Sequence, residues 1–125
     1  MDNYTLIKKL NESDIDGVEL INLTPHPIVL QQGEDTLTIE PSGTTVRVEM
    51  AKRPLYIVNG YPLSEIFVKS LSGLPAPKPN TLYIVSAMVA SNAKERDDVI
   101  APDTDSANRN DKGHIVSVPG FVKYI

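Results

Sequence analysis

Residues 81–103 read TLYIVSAMVASNAKERDDVIAPD, and the way this stretch is taken decides the fold. Leu82-Tyr83-Ile84-Val85 is an unbroken apolar run of strand length, which marks a buried strand. Ser86 to Ala93 is rich in small residues and compatible with a short helix, with Ser86 placed to cap it. Lys94-Glu95-Arg96-Asp97-Asp98 is a dense charged cluster, and Ala101-Pro102-Asp103 closes the stretch. A core strand that delivers a short helix and then a charged loop is a rigid support for a polar site.

Working outward toward the N-terminus, Ser70 to Asn80 holds three prolines and a glycine and reads as an extended crossover. Leu55-Tyr56-Ile57-Val58 and Ile66-Phe67-Val68 flank Asn59-Gly60, the strongest short hairpin signal in the chain, with the second arm expected to start near Leu63. Thr44 to Met50 alternates, with Val46, Val48 and Met50 on one face, and Thr36 to Glu40 alternates likewise on the far side of a Pro41-Ser42-Gly43 turn. These segments predict an antiparallel meander. Val18 to Leu23 reads as a first strand and Ile28-Val29-Leu30 as its resumption. Between them Thr24-Pro25-His26-Pro27 lacks two ladder donors and makes a bend.

Residues 1–16 place Leu6, Ile7 and Leu10 at helical spacing, an amphipathic helix that would cap the domain edge or meet another subunit. Beyond Asp103, Thr104 to Gly113 is polar and turn-rich and reads as a mobile surface loop; His114 to Val118 and Phe121 to Ile125 read as two last strands around Pro119-Gly120. The expected fold is α+β: mainly antiparallel β-sheet, a meander or small barrel-like arrangement, with one or two short helices. Residues 1–16 form a helical extension of a single β-rich domain at 17–125.

Composition agrees with one domain. A chain of 125 residues buries one core and has no room for two. Tryptophan is absent and there are two Phe, so the core must come from Ile, Leu and Val with help from five Tyr. Twelve basic against sixteen acidic side chains, a formal net charge of −4, give no footprint for duplex nucleic acid. No cysteine is present, which removes disulfides, thiolate nucleophiles and Cys-based zinc sites together. No apolar run approaches a membrane span and the N-terminus lacks a signal-type apolar core, so the expectation is a cytoplasmic protein with no membrane partner.

Few residues carry candidate chemistry. His26, held between prolines, could serve as a base, a metal ligand or a donor to phosphate; the bland alternative is an imidazole that hydrogen-bonds its own bend. The only other histidine is His114, and no H-x-x-x-H or H-E pairing exists, so no catalytic metal is expected. Asp103 to Asn108 fails the EF-hand pattern, having Ala107 at the fifth position and Asn108 where Gly is needed. Arg96 among carboxylates can either present donors to a phosphate or lock the loop in an Arg–Asp pair, and both readings stand. Arg47 and Arg53 add positive charge to the same site if the strand order brings them near. G-x-S-x-G, Walker A and G-x-G-x-x-G motifs are all missing, so no enzyme and no cofactor are expected.

Asn22-Leu23-Thr24-Pro25-His26, Ile39-Glu40-Pro41-Ser42-Gly43 and Val46-Arg47-Val48 resemble a family of small bacteriophage-encoded proteins. The resemblance continues at Gly73-Leu74-Pro75, Tyr83-Ile84-Val85-Ser86, Val89-Ala90, Arg96-Asp97-Asp98, Ala101-Pro102-Asp103 and Lys112 to Val116, spanning residues 20–124 and leaving 1–16 as an extension. Small β-rich phage proteins of this kind include sponges of bacterial anti-phage defence such as Sequestin and Lockin. The resemblance implies a protein of the host cytoplasm that binds and sequesters a nucleotide-derived immune signal, ADP-ribose-type or cyclic, without catalysis. It further implies a homo-oligomer. A site for such a ligand needs donors for phosphate, a wall for the base and polar groups for ribose. Arg47, Arg96 and Ser86 would serve the phosphates, Tyr83 (or Tyr56 or Tyr61) the base, and Asn92, Asp97 and Asp98 the ribose, with Thr24 and His26 added from the NLTPH segment. The competing expectation is a structural or protein-interaction protein that inhibits a host protein directly; a cleaving enzyme would use His26 with an acidic partner.

Overall fold

The computed structural model describes residues 17–125, so the expected N-terminal helix lies outside the described residues. The centre is a four-stranded sheet built from β1 (Glu19–Asn22), β6 (Thr81–Ile84), β7 (Val99–Pro102) and β10 (Phe121–Val122), adjacent in that order. β1 and β6 run parallel, as do β6 and β7, and only β10 is antiparallel to its neighbour.

The apolar run of β6 explains that choice. A strand covered on both faces is apolar at every position, which is the usual condition of parallel strands. Tyr83 and Val85 point into one cluster with Leu23, Val46, Val89, Val99 and Ala101, whereas Ile84 points into a second with Ile28, Ile100 and Val118. Tyr83, Ile84 and Val85 are at most 1% exposed. Each such burial contributes about 1.5–3 kcal/mol, so β6 is the keel of the domain. The expectation of an antiparallel meander or barrel is therefore corrected at the centre: the sheet is mixed and open. The overall β-rich character with one short helix stands.

The remaining elements cover the two faces. Helix α1 (Ala87–Ser91) crosses from β6 to β7 and sets Val89 and Ala90 on the first cluster. Ser86 caps it as expected, its hydroxyl accepting from the Val89 amide at 3.3 Å. β7 was not foreseen, because Val99-Ile100-Ala101 is short and sits beside charged residues. The opposite face is covered by the antiparallel hairpin of β2 (Ile28–Gln32) and β3 (Asp35–Ile39), which joins the chain near Val118 through Gln31 N to Val118 O at 3.0 Å and Val118 N to Val29 O at 2.9 Å. A small pair, β8 (Asn108–Arg109) with β9 (Ile115–Ser117), follows a 3-10 turn at Thr104–Ser106, so much of the expected surface loop is ordered into structure.

The meander fails in one further respect. β3 does not pair with the next strand; instead β4 (Arg47–Val58) and β5 (Tyr61–Ser72) form a separate two-stranded arm of 12 residues a side. Asn59 and Gly60 make its turn with φ of 48° and 86°, the left-handed pair that a two-residue hairpin requires. Pro54 sits at a register shift, which lets one strand run through a residue that cannot donate to the ladder. Among the described residues only the base of the arm, through Val48 and Leu71, packs on the core.

Candidate functional site

Asn22 builds the site from below. It is 1% exposed, and its amide nitrogen donates to the carbonyls of His26 at 2.8 Å and Ile39 at 3.1 Å. Its Oδ1 accepts from the Thr24 amide at 2.9 Å, and the Thr24 hydroxyl lies 2.7 Å away and 3.0 Å from the His26 carbonyl. A buried amide with every valence used fixes its surroundings, so Thr24-Pro25-His26-Pro27 is a rigid loop rather than a free bend. The prolines then hold the exposed His26 side chain outward.

That loop forms one wall of a groove of about 470 Å³. Residues 24–29 face residues 115–118, with Ser86 and Ala87 at the helix start and Pro102 and Thr104 completing the lining. Ser117 is held from behind: its hydroxyl donates to Gln31 Oε1 at 2.8 Å and accepts from Asn108 Nδ2 at 2.9 Å. Among the described residues the lining contains no Lys, Arg, Asp or Glu, and His26 is the one titratable side chain there. The volume falls within the range of small-molecule sites, and the chemistry is an apolar slot edged with hydroxyls.

Of the expected ligand-binding residues, Thr24, His26 and Ser86 meet at this groove. The others do not. Arg96 is a strut: its Nε and one terminal nitrogen each donate to Asp98 at 2.8 Å, and that terminal nitrogen also donates to the Pro75 carbonyl at 2.8 Å. It ties the proline crossover to the loop before β7, and Lys123 adds a bond to the Arg96 carbonyl at 2.9 Å. The hydrogen bonds from Arg96 hold the Asp98 carboxyl below the usual carboxylate range against the opposing effect of burial, and those same bonds raise Arg96. Both members serve each other before any ligand.

Tyr83 is a core residue whose hydroxyl donates to the Ala76 carbonyl at 3.1 Å, leaving no ring face for a base. Asn92 closes the C-terminal end of α1 with its side chain on the Met88 carbonyl at 2.8 Å. Asp97 is exposed and lines no part of the groove, and Arg47 stands at the base of the arm opposite Ser72. The residues that sequence reading missed are Asn22, Thr104 and the 115–118 wall. The Asn-x-Thr spacing of a buried amide supporting its own loop was the available signal for the first; nothing local announces the others, because they arrive from distant strands.

Among the described residues no group of three or more His, Cys, Asp or Glu is placed to hold a metal ion. A scan of protein-family models finds no match to the chain, and searches of curated proteins and of solved structures find no significant one.

Proposed function

We propose that the chain is a binding protein that captures a small nucleotide-derived signal in the groove beside His26, as the resemblance to phage-encoded sponges implies. The observation that carries this reading is convergence: Thr24, Pro25 and His26, Ser86, Pro102, and Ile115 with Val116 all line one groove, and these belong to four of the segments on which the resemblance rests. The groove favours the nucleoside end of such a ligand. Pro25, Pro27, Ile115 and Val116 offer apolar surface to a flat base, and His26, Thr24, Ser86 and Thr104 offer polar atoms to base edges and ribose hydroxyls. With no cationic side chain among the described residues of the lining, the phosphates would lie toward solvent, and affinity would depend little on ionic strength.

Isothermal titration against adenosine, ADP-ribose-type and cyclic nucleotide ligands tests the reading. At least one is expected to bind, with an affinity that His26→Ala lowers about tenfold, the loss of one hydrogen bond or stacking contact. Ile115→Glu, which places an unpaired carboxylate in the slot, is expected to abolish binding. Absence of heat across the whole panel would overturn it. Intact ligand after prolonged incubation with the protein would separate sequestration from cleavage. The competing reading, a protein-interaction role, draws on the arm rather than the groove.

A further inference from the structure

The arm formed by β4 and β5 leaves its apolar side chains uncovered. Tyr56 is 64% exposed, Ile57 73%, Tyr61 75% and Ile66 68%, with Met50 at 46%. From Leu55 to Leu63 there is no charged residue, and the paired positions Tyr56 with Leu63 and Val58 with Tyr61 give the tip an apolar face, with Ile57 and Pro62 on the other. Scaled by these exposures, side chains of at most about 150–250 Å² give these five residues roughly 500–800 Å² of free surface over the two faces of the arm, approaching what one partner contributes to an interface of standard size.

Charge says what covers it. Residues 47–72 hold Arg47, Lys52, Arg53 and Lys69 against Glu49 and Glu65, a net +2, whereas the whole chain is −4, so everything outside the arm sums to −6. Basic arm and acidic body are complementary within one sequence. Reach is sufficient as well: 12 residues at about 3.3 Å each make an arm of about 40 Å, longer than the body of a domain of this size is wide.

We infer that the arm docks on a second copy of this chain, its tip entering the groove of about 370 Å³ between the β2–β3 hairpin and the Pro119–Phe121 turn. That groove is lined by Leu30, Leu37 and Phe121 with Asp35 on its wall; Leu37 is 59% exposed, and Asp35 with the adjoining Glu34 gives the receiving surface the sign opposite to the arm's net charge. Reciprocal exchange of arms closes the pair about a two-fold axis and leaves no free arm to propagate a filament. A lipid surface is the alternative home for an apolar, Tyr-bearing tip with a basic collar. It is disfavoured because a two-stranded ribbon has two open edges, whose unpaired amides and carbonyls find no partner in hydrocarbon. The apolar side chains also continue down the shaft to Ile66 and Met50, beyond what tip insertion would use. This inference is independent of the ligand groove, which shares no lining residue with the receiving one.

Sedimentation velocity from 1 to about 100 μM tests it, a span that brackets weak and firm dimers. The wild-type chain is expected to sediment as a dimer at the upper end. An arm variant (Ile57→Asp with Tyr61→Asp) and a groove variant (Leu37→Asp) are each expected to be monomeric with unchanged circular dichroism. Mixing the two restores a dimer, because one intact arm then meets one intact groove; a merely misfolded variant would restore nothing. A monomeric wild type, a dimer that survives the arm changes, or a mixture that stays monomeric overturns the inference. So does co-sedimentation with phosphatidylserine vesicles that the arm variant loses while the wild-type chain alone stays monomeric, which would assign the tip to lipid.

Discussion

Two side chains, Asn22 and Arg96, each hold a distant segment in place, and their energetic signatures should differ. Asn22→Ala strips partners from the carbonyls of His26 and Ile39 and from the Thr24 amide in a buried setting. A loss of about 3 kcal/mol in urea denaturation is expected, together with loss of ligand binding as the His26 loop relaxes. Arg96→Ala is expected to cost about 2 kcal/mol for its charge-assisted bonds while leaving ligand affinity unchanged, since Arg96 lies outside the groove. Equal loss of affinity and stability in Arg96→Ala would return that residue to the site. The pair with Asp98 also carries a pH signature. Because the folded carboxyl titrates below its unfolded value of about 3.9, its contribution is complete above that pH and disappears as pH falls through the folded value. Wild-type protein should therefore lose more stability than Asp98→Asn on going from about pH 5 to about pH 2, measured by denaturant titration at each pH.

The elements show what a sequence pattern can and cannot say. Tyr83-Ile84-Val85, Asn59-Gly60 and the Ser86 cap were legible because each is a local signal: a continuous apolar run, a left-handed turn pair, a hydroxyl before a helix. Partners were not legible. Thr36 to Ile39 and Thr44 to Met50 both alternate, and alternation names a half-buried strand without naming its neighbour, so two separate hairpins passed for one meander. Arg96 allowed two readings, an anion site or an Arg–Asp lock, and the structure shows the lock with Asp98; its further partner, the Pro75 carbonyl, lies 21 residues away and carries no side-chain signal. At the base of the arm Gly73 has φ of +90°, and a Cβ there would stand 2.8 Å from the Thr45 carbonyl oxygen. Gly73→Ala is expected to lower stability by about 2 kcal/mol or more, from strain and clash together. Shortening the arm above the Glu49–Ser70 pair to a two-residue turn should instead leave the melting temperature of dilute, monomeric protein (about 1 μM) within a few degrees, because the removed residues pack on neither core cluster.

At the scale of the molecule, the described chain is a sheet clothed on both faces, a ligand-sized groove on one flank and an uncovered arm. The groove and the arm are separable, and each proposal has its own test: titration for one, sedimentation for the other. The arm also bears on how the chain reaches its native state. β1 must find β6 across a span of about 60 residues, a closure whose entropic cost rises with the length of free chain. A hairpin zipped from Asn59-Gly60 forms within microseconds and brings Arg47 beside Ser72, removing nearly half of that span before the central strands meet. Replacing Asn59-Gly60 by Ala-Ala should then slow refolding in stopped-flow experiments and leave the unfolding rate nearly untouched. An arm that adds almost nothing to the core would in this way set the pace at which the core assembles.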